Sequence, residues 1–125
     1  RVRVPETPIY LDALLADEDV LEFIPTATGT ATAGSWTHFF DGSDVGLDAT
    51  TEDIDGIDFD SQGRLCFSCS GVVGVSGVMA DDEDIVRFAG TFGTATAGAF
   101  TLAYDMSLLG VPAAADIDDF FVKND

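Results

Sequence analysis

Residues 51–71 read TEDIDGIDFDSQGRLCFSCSG, and this stretch decides the predicted fold. On both sides of a short glycine-containing turn, apolar residues alternate with polar or small ones with a period of two. That alternation is the pattern of a β-hairpin with one buried face. We therefore predict strands over 54–59 and 65–70, joined by a turn in which Gly63 takes the positive φ that other residues avoid.

The chain repeats itself with an offset of about 64 residues, and a sustained self-match of this kind is the signature of repeat architecture. The offset drifts from 65 to 63 along the chain, as expected if the loops between matched strands differ slightly in length. The matching pairs are ADEDVLEF (16–23) with DDEDIVRF (81–88), GTATAG (29–34) with GTATAG (93–98), WTHFFD (36–41) with FTLAYD (100–105), and DID (53–55) with DID (116–118).

The repeat predicts an all-β fold in one domain over residues 1–125, with two copies of a four-stranded antiparallel meander. Unit one covers about residues 1–59 and unit two about residues 65–122. The alternative is a closed eight-stranded barrel or sandwich, in which the first strand pairs with the last. Pairing of the same strands between copies would instead give a homo-oligomer. The predicted strands are 1–4, 20–24, 35–40, 54–59, 65–70, 85–88, 99–104 and 117–122, with 71–84 as a loop.

The charge is strongly unbalanced, with 23 Asp and Glu against 5 Lys and Arg and a formal net charge of −18. Such a surface repels the phosphates of nucleic acids and favours cations or basic partners. We therefore exclude DNA and RNA as ligands. No apolar run approaches the roughly 20 residues of a membrane helix, so membrane insertion is not expected. Because the chain starts and ends inside a repeat unit, we expect it to be a piece of a longer protein.

Few residues have the chemistry of a catalytic or disulfide-bonded site. Cys66 and Cys69 lie on one predicted strand, where their Cα atoms would be about 10 Å apart, beyond the ~7 Å limit for a disulfide. Zinc binding by this pair would need further ligands on turns. The single His38 excludes a His-rich metal site, and we expect it to serve packing. No nucleophile or phosphate-binding motif is present, so the sequence favours a protein that is not an enzyme.

The acidic loops are the most function-like feature. Alternate connections of a meander emerge at one edge, so the acidic loops should gather there and the Thr/Ala/Gly loops at the other. Oxygen-rich loops suit Ca²⁺, and the spacing from Asp41 through Gly46 to Glu52 partly follows an EF-hand loop, although Val45 interrupts it. The alternative is that the carboxylates are solvated turn formers. The candidate cation ligands are Asp41, Asp44, Glu52, Asp53, Asp55, Asp82, Glu83, Asp84, Asp105, Asp116 and Asp118.

The turn DSQG, the strand RLCFSCSG, the segment DIVRF and a following aromatic strand resemble blades of β-propellers of the NHL and gluconolactonase-like type. The phrases FFDGSDVGL and EDIDGIDF resemble repeats of large secreted bacterial surface proteins. The resemblance implies a blade with 54–59 innermost, then 65–70, 85–88 and 99–104. It also implies a secreted or cell-surface location and a non-catalytic structural or interaction module, which Ca²⁺ could stabilise. The alternatives are a Ca²⁺-dependent hydrolase assembled by oligomerisation and an acidic binding module for a basic partner.

Overall fold

The computed structural model describes residues 15–123 and consists mainly of short antiparallel strands, so the predicted all-β class is confirmed. The predicted strand over 1–4 lies outside these residues. No helix within 15–123 is long and apolar enough to cross a membrane. The strands are β1 (Val20–Ala27), β2 (Ala33–Phe40), β3 (Ile54–Phe59), β4 (Leu65–Cys69), β5 (Val73–Val75), β6 (Val78–Ala80), β7 (Ile85–Thr91) and β8 (Ala97–Tyr104). The 3-10 turns are Gly29–Ala31, Gly42–Val45, Thr50–Glu52 and Met106–Leu109.

The strands form three separate antiparallel sheets. The largest has the order β3-β4-β7-β8, while β1 pairs with β2 and β5 pairs with β6. A barrel requires the two edge strands of a sheet to pair with each other. Here the large sheet ends at β3 on one side and β8 on the other, and no sheet in the described part of the chain closes. The alternative of a closed eight-stranded barrel is therefore wrong for residues 15–123.

The hairpin of β3 and β4 forms as the sequence predicts, with Ile57 opposite Phe67 and Phe59 opposite Leu65. Gly63 has φ of 76° in the connecting turn. The buried Asp60 carboxylate organises this turn, because its Oδ1 accepts the Gln62 and Arg64 backbone N–H groups at 2.9 Å each. Burial alone would raise the pKa of Asp60, but these N–H groups and the Arg64 guanidinium at 2.6 Å outweigh it and lower the pKa.

The predicted loop over 71–84 is wrong for residues 73–80, because β5 and β6 form a hairpin there. Ser76 and Gly77 both have positive φ, 48° and 82°, as the two central residues of a type I′ turn require. Val73 and Val75 alternate with Gly74 and bury their side chains in the core. The period-two pattern was present in the sequence but is short and glycine-rich.

The predicted final strand over 117–122 is also wrong, since the structure assigns no strand to these residues. The Ile117 N–H donates to the Asp82 carbonyl at 3.1 Å, which fastens the start of the segment to the turn before β7. The Val122 N–H donates to the Asp58 side-chain carboxylate at 2.5 Å. Bonds to a turn carbonyl and a side chain hold the segment beside β3 without forming a β-ladder.

The strands beside the Thr/Ala/Gly loops extend further than predicted, with β1 reaching Ala27 and β7 reaching Thr91. Glycines permit this extension of β7 and β8. Gly90 and Gly98 are opposite each other, and a Cβ added at Gly98 would lie 2.7 Å from the Gly90 Cα. Only residues without side chains allow the two backbones to approach this closely.

Aromatic residues fill the core between the β1–β2 hairpin and the four-stranded sheet. Phe40 of β2 is fully buried and contacts Phe88 edge-on, with ring centroids 5.1 Å apart. Phe67 and Phe100 continue the cluster at 5.9 Å. Edge-to-face pairs are worth about 0.5–1.5 kcal/mol beyond area burial. The core therefore joins β2 to β4, β7 and β8.

Cys66 and Cys69 are not joined by a disulfide, as the strand geometry predicts, and both are buried within β4. The Cys69 Sγ donates to the Glu52 carbonyl at 3.4 Å. Desolvation, followed by the charges of Asp55, Glu52 and Asp53, raises the pKa of the Cys69 thiol. The thiol is therefore neutral and unreactive while β4 is folded.

Candidate functional site

Two acidic turns, residues 16–19 before β1 and residues 81–84 before β7, anchor the loops that follow them. The Asp19 carboxylate accepts the backbone N–H groups of Ala16 at 2.9 Å and Gly42 at 3.0 Å. The Asp84 carboxylate accepts those of Asp81 and Met106, both at 3.0 Å. Each aspartate thereby closes its own turn and also holds a 3-10 turn, the one after β2 for Asp19 and the one after β8 for Asp84.

The second acidic turn brings three carboxylates together. One oxygen from each of Asp81, Glu83 and Asp84 lies within 4.8 Å of the others. Glu83 is only 1% exposed, and its Oε2 has no hydrogen-bond donor among residues 15–123. A bond from its own backbone N–H lowers the pKa of Glu83, but desolvation and the charges of Asp84, Asp81 and Asp82 outweigh it and the pKa is raised. A cation at this turn would relieve both burial and repulsion.

The first acidic turn has a different composition, because the same distance of 4.8 Å groups Asp19 and Asp41 with His38. His38 is buried on β2, in agreement with the predicted packing role. Desolvation raises the pKa of Asp19, while the N–H groups of Ala16 and Gly42 and the charge of His38 oppose that rise. An imidazole nitrogen thus stands beside two carboxylates.

Glu52, a predicted cation ligand, is buried and serves the backbone. Its Oε2 accepts the N–H groups of Asp48 at 2.9 Å and Ala49 at 3.0 Å, and its Oε1 accepts that of Gly74 at 2.9 Å. Both oxygens are therefore occupied by the loop before β3 and by β5. Glu52 is the last residue of the EF-hand-like spacing that starts at Asp41. Its carboxylate binds backbone N–H groups of the protein itself.

Asp44 and Asp41 contact the second Thr/Ala/Gly loop through Thr96. The Thr96 N–H donates to the Asp44 carboxylate at 3.0 Å, and the Asp41 N–H donates to the Thr96 hydroxyl at 2.9 Å. The prediction that acidic and Thr/Ala/Gly loops occupy opposite edges is wrong at this point. The reason is that the end of β2 meets the β7–β8 loop, where the Gly93 N–H donates to the Phe39 carbonyl at 2.7 Å.

Three predicted candidates from distant parts of the sequence meet beside β3. Desolvation is the main cause that raises the pKa of Asp55 to about 6; the Ser68 hydroxyl, at 2.8 Å, opposes it, and Asp116 and Asp118 add to it. Asp55 and Asp118 line a cleft of about 280 Å³ whose other walls include Ile54 and Ile57. The arrangement is a carboxyl pair at the mouth of a partly apolar cleft.

The remaining candidates are dispersed. Asp53 lines a shallow cleft of about 220 Å³ together with Glu18, and its carbonyl accepts the Ser70 N–H at 2.9 Å. Asp82 contributes its backbone carbonyl to the 117–122 segment. Asp105 accepts the Ser107 hydroxyl at 2.5 Å at the start of a 3-10 turn. The eleven candidates therefore fall into several small groups.

Comparison with known proteins gives no assignment: no family model, curated protein or solved structure matches the chain. The residues that sequence reasoning missed are Asp19, His38 and Asp81. A signal was available, because the repeated phrases ADED and DDED end in an aspartate just before a strand in both units. Such a position suits a side chain that caps a turn.

Proposed function

We propose that this chain is a non-catalytic structural or interaction repeat module of a secreted or surface protein, related to β-propeller blades, which pairs with a second copy through β8. The order β3-β4-β7-β8 supports the proposal, because each strand lies beside the next in the order expected for a blade. The shared bonding of Asp19 and Asp84, 65 residues apart, supports two related units.

The observation that carries the proposal is the edge strand β8. It ends the four-stranded sheet, so one side of its backbone has no hydrogen-bonded partner strand within residues 15–123, although β6 and the Gly42–Val45 turn lie near β8. Its eight residues, AGAFTLAY, include no charge and no proline. Proteins normally place charged residues or proline on an exposed edge strand, because an open edge can pair with strands of other molecules. An edge of this length without charged residues or proline is suited to strand addition.

The carboxylates support a structural role as well. Asp19, Glu52, Asp60 and Asp84 each accept at least two backbone N–H groups, and each bond fixes a turn or loop. Hydrogen bonds to charged groups contribute about 1.5–3 kcal/mol each, or about 1 kcal/mol where water can replace the acceptor. These carboxylates therefore hold turns and loops of the module in place.

Light scattering coupled to gel filtration tests the pairing. We expect the mass to rise from the 13.1 kDa chain to a discrete multiple as concentration increases. A variant with Ala99→Lys and Thr101→Lys places charge on exposed positions of β8 and should remain monomeric. Ser35→Lys, at an exposed position of β2, is the control and should associate like the wild type. A wild-type chain that stays monomeric up to millimolar concentration would exclude pairing through β8.

We extend the proposal to Ca²⁺ stabilisation at the second acidic turn, whose three grouped ligands are all oxygens. At low ionic strength, Ca²⁺ at 100 times its dissociation constant should stabilise the fold by about 2.7 kcal/mol. Glu83→Gln removes the buried charge and should abolish the increase in melting temperature. An unchanged wild-type melting temperature with Ca²⁺ would contradict this extension and leave the pairing proposal to its own test.

One observation favours a second candidate, a hydrolase. A carboxyl with a pKa of about 6 beside a second carboxyl is the arrangement of a general acid and base pair. Lactone and ester substrates test it: Asp116→Asn should lower the rate and shift its acidic limb, since Asp116 contributes to the raised pKa of Asp55. Hydrolysis at the rate of buffer alone would exclude this candidate.

A further inference from the structure

His38 has an unsatisfied nitrogen in the interior. The residue lies on β2 opposite Leu21 and is 8% exposed. Its Nε2 is buried and has no hydrogen bond to any residue within 15–123, and the Asp19 Oδ2 lies 3.2 Å from it as an ion-pair contact. Leaving a buried polar atom unpaired costs about 1–3 kcal/mol. Such an atom in a folded protein calls for an explanation.

The distances around Nε2 are those of ligands that share a metal ion. Two ligand atoms, each about 2.0 Å from a tetrahedral Zn²⁺, are about 3.3 Å apart. The 3.2 Å between His38 Nε2 and Asp19 Oδ2 agrees with that separation. One ligand atom each from Asp41, His38 and Asp19 lies within 4.8 Å of the others, so a small movement of the Asp41 side chain would complete three ligands.

The two carboxylates are held in place by hydrogen bonds from their surroundings. The Asp19 oxygens accept the N–H groups of Ala16 and Gly42, and the Asp41 Oδ1 accepts the Ser43 hydroxyl at 2.6 Å. Each carboxylate oxygen has two lone pairs, so these bonds leave acceptor capacity for a metal. Outer hydrogen bonds of this kind orient metal ligands and are typical of metal sites.

We propose that Asp19, His38 and Asp41 form a binding site for a divalent transition metal of the zinc class. An imidazole nitrogen with two carboxylate oxygens suits Zn²⁺ and its neighbours, whereas Ca²⁺ takes oxygen ligands only. Two carboxylates and a neutral imidazole balance the charge of a divalent ion. Asp19 also lines the cleft of about 280 Å³. The ion would join the turn before β1 to the end of β2.

The chain contains its own control for this site. Asp84 stands 65 positions after Asp19, and Asp105 stands 64 positions after Asp41. Both keep the hydrogen bonds of their counterparts, since Asp84 accepts the Met106 N–H and Asp105 accepts the Ser107 hydroxyl. The position 64 residues after His38 is occupied by Leu102, which cannot bind a metal. The second unit therefore has the same carboxylate scaffold without the nitrogen ligand.

Calorimetric titration of the chelator-treated full chain with ZnCl₂ tests the site, and we expect one ion bound per chain at His38. His38→Leu copies the residue of the second unit, and Asp41→Asn keeps an acceptor for Ser43. Each should weaken Zn²⁺ binding at least about tenfold, since even changes outside the ligand shell cost 10–100-fold. Asp105→Asn and Glu83→Gln should bind Zn²⁺ like the wild type. Co²⁺ should give the intense visible bands of a tetrahedral site in the wild type and lose them in His38→Leu.

The proposal is overturned if the wild type does not bind Zn²⁺, or if His38→Leu and Asp41→Asn bind it as tightly as Asp105→Asn. Circular dichroism of each variant checks the fold. If His38→Leu unfolds, His38→Gln and Asp41→Asn give the same comparison, and wild-type affinity in both would refute the site. The stoichiometry is counted per chain, so the result does not depend on whether β8 pairs with a second copy.

Discussion

Replacement of Glu52 gives the sharpest test of how the acidic residues are used. The side chain is 3% exposed and accepts three backbone N–H groups, from Asp48, Ala49 and Gly74. Glu52→Ala removes all three bonds, and the loop before β3 and the strand β5 lose their common anchor. Glu52→Gln keeps one acceptor oxygen and replaces the other with an NH₂ group, which cannot accept.

The expected loss of stability in Glu52→Ala depends on whether water can reach the three N–H donors. Hydrogen bonds to charged groups are worth about 1.5–3 kcal/mol when the donor stays buried after the acceptor is lost. Asp48, Ala49 and Gly74 are exposed residues, so water can replace the carboxylate, and about 1 kcal/mol for each bond is appropriate. We therefore expect Glu52→Ala to lower the free energy of unfolding by about 3 kcal/mol and the melting temperature by roughly 10 °C. Glu52→Gln should cost about half as much.

Urea denaturation followed by circular dichroism measures these differences from the midpoint at constant slope. Glu22→Ala is the matched control, because the exposed Glu22 carboxylate accepts only the Thr37 hydroxyl, at 3.3 Å, among the contacts in the described chain. Glu22→Ala should change the free energy of unfolding by no more than about 0.5 kcal/mol, as substitutions at other surface positions do. If Glu52→Ala is within 1 kcal/mol of Glu22→Ala, the carboxylate does not anchor the loops and the reasoning fails.

Two further predictions concern charge and close packing. The pKa of Asp55 is raised from 3.8 to about 6, so the folded state binds this proton more tightly, and the contribution of Asp55 to stability should fall as pH rises from about 4 to about 6. Asp55→Asn should flatten this part of the urea-midpoint profile and gain about 1 kcal/mol at pH 7 after screening; an unchanged profile would contradict the raised pKa. Gly98→Ala should destabilise by about 1–3 kcal/mol, because its Cβ would lie 2.7 Å from Gly90. Gly74→Ala, whose nearest neighbour would be the Met79 sulfur at 3.4 Å, should be tolerated, and equal melting temperatures for both variants would refute the steric argument.

The sequence predicted those elements whose strands and turn lie within one short stretch of the chain. The β3–β4 hairpin was predictable because alternation and the turn around Gly63 occur within one short stretch. The hairpin at Ser76 and Gly77 was missed because its strands have three residues each and read as a glycine-rich loop. The 117–122 segment matches β3 in sequence, but a strand also needs a backbone partner, and sequence similarity does not supply one.

The candidate site was less predictable, because its members come from distant segments. Asp55 and Asp116 were both candidates, but their proximity depends on how the end of the chain lies along β3. Glu52 has the residue type of a ligand, and only the three donors around it reveal a structural role. His38 was read as a packing residue, since a sequence cannot show that its Nε2 lacks a hydrogen bond.

Because the two thiols of β4 are buried, their chemical labelling can measure opening of the four-stranded sheet. Cys66 and Cys69 lie in the strand between β3 and β7, and they are 0% and 2% exposed. A thiol reagent can modify them only when the sheet separates, so the labelling rate reports how often the centre of the sheet opens. The same experiment, repeated with added metal ions, would show whether an ion bound at either acidic turn slows opening at β4.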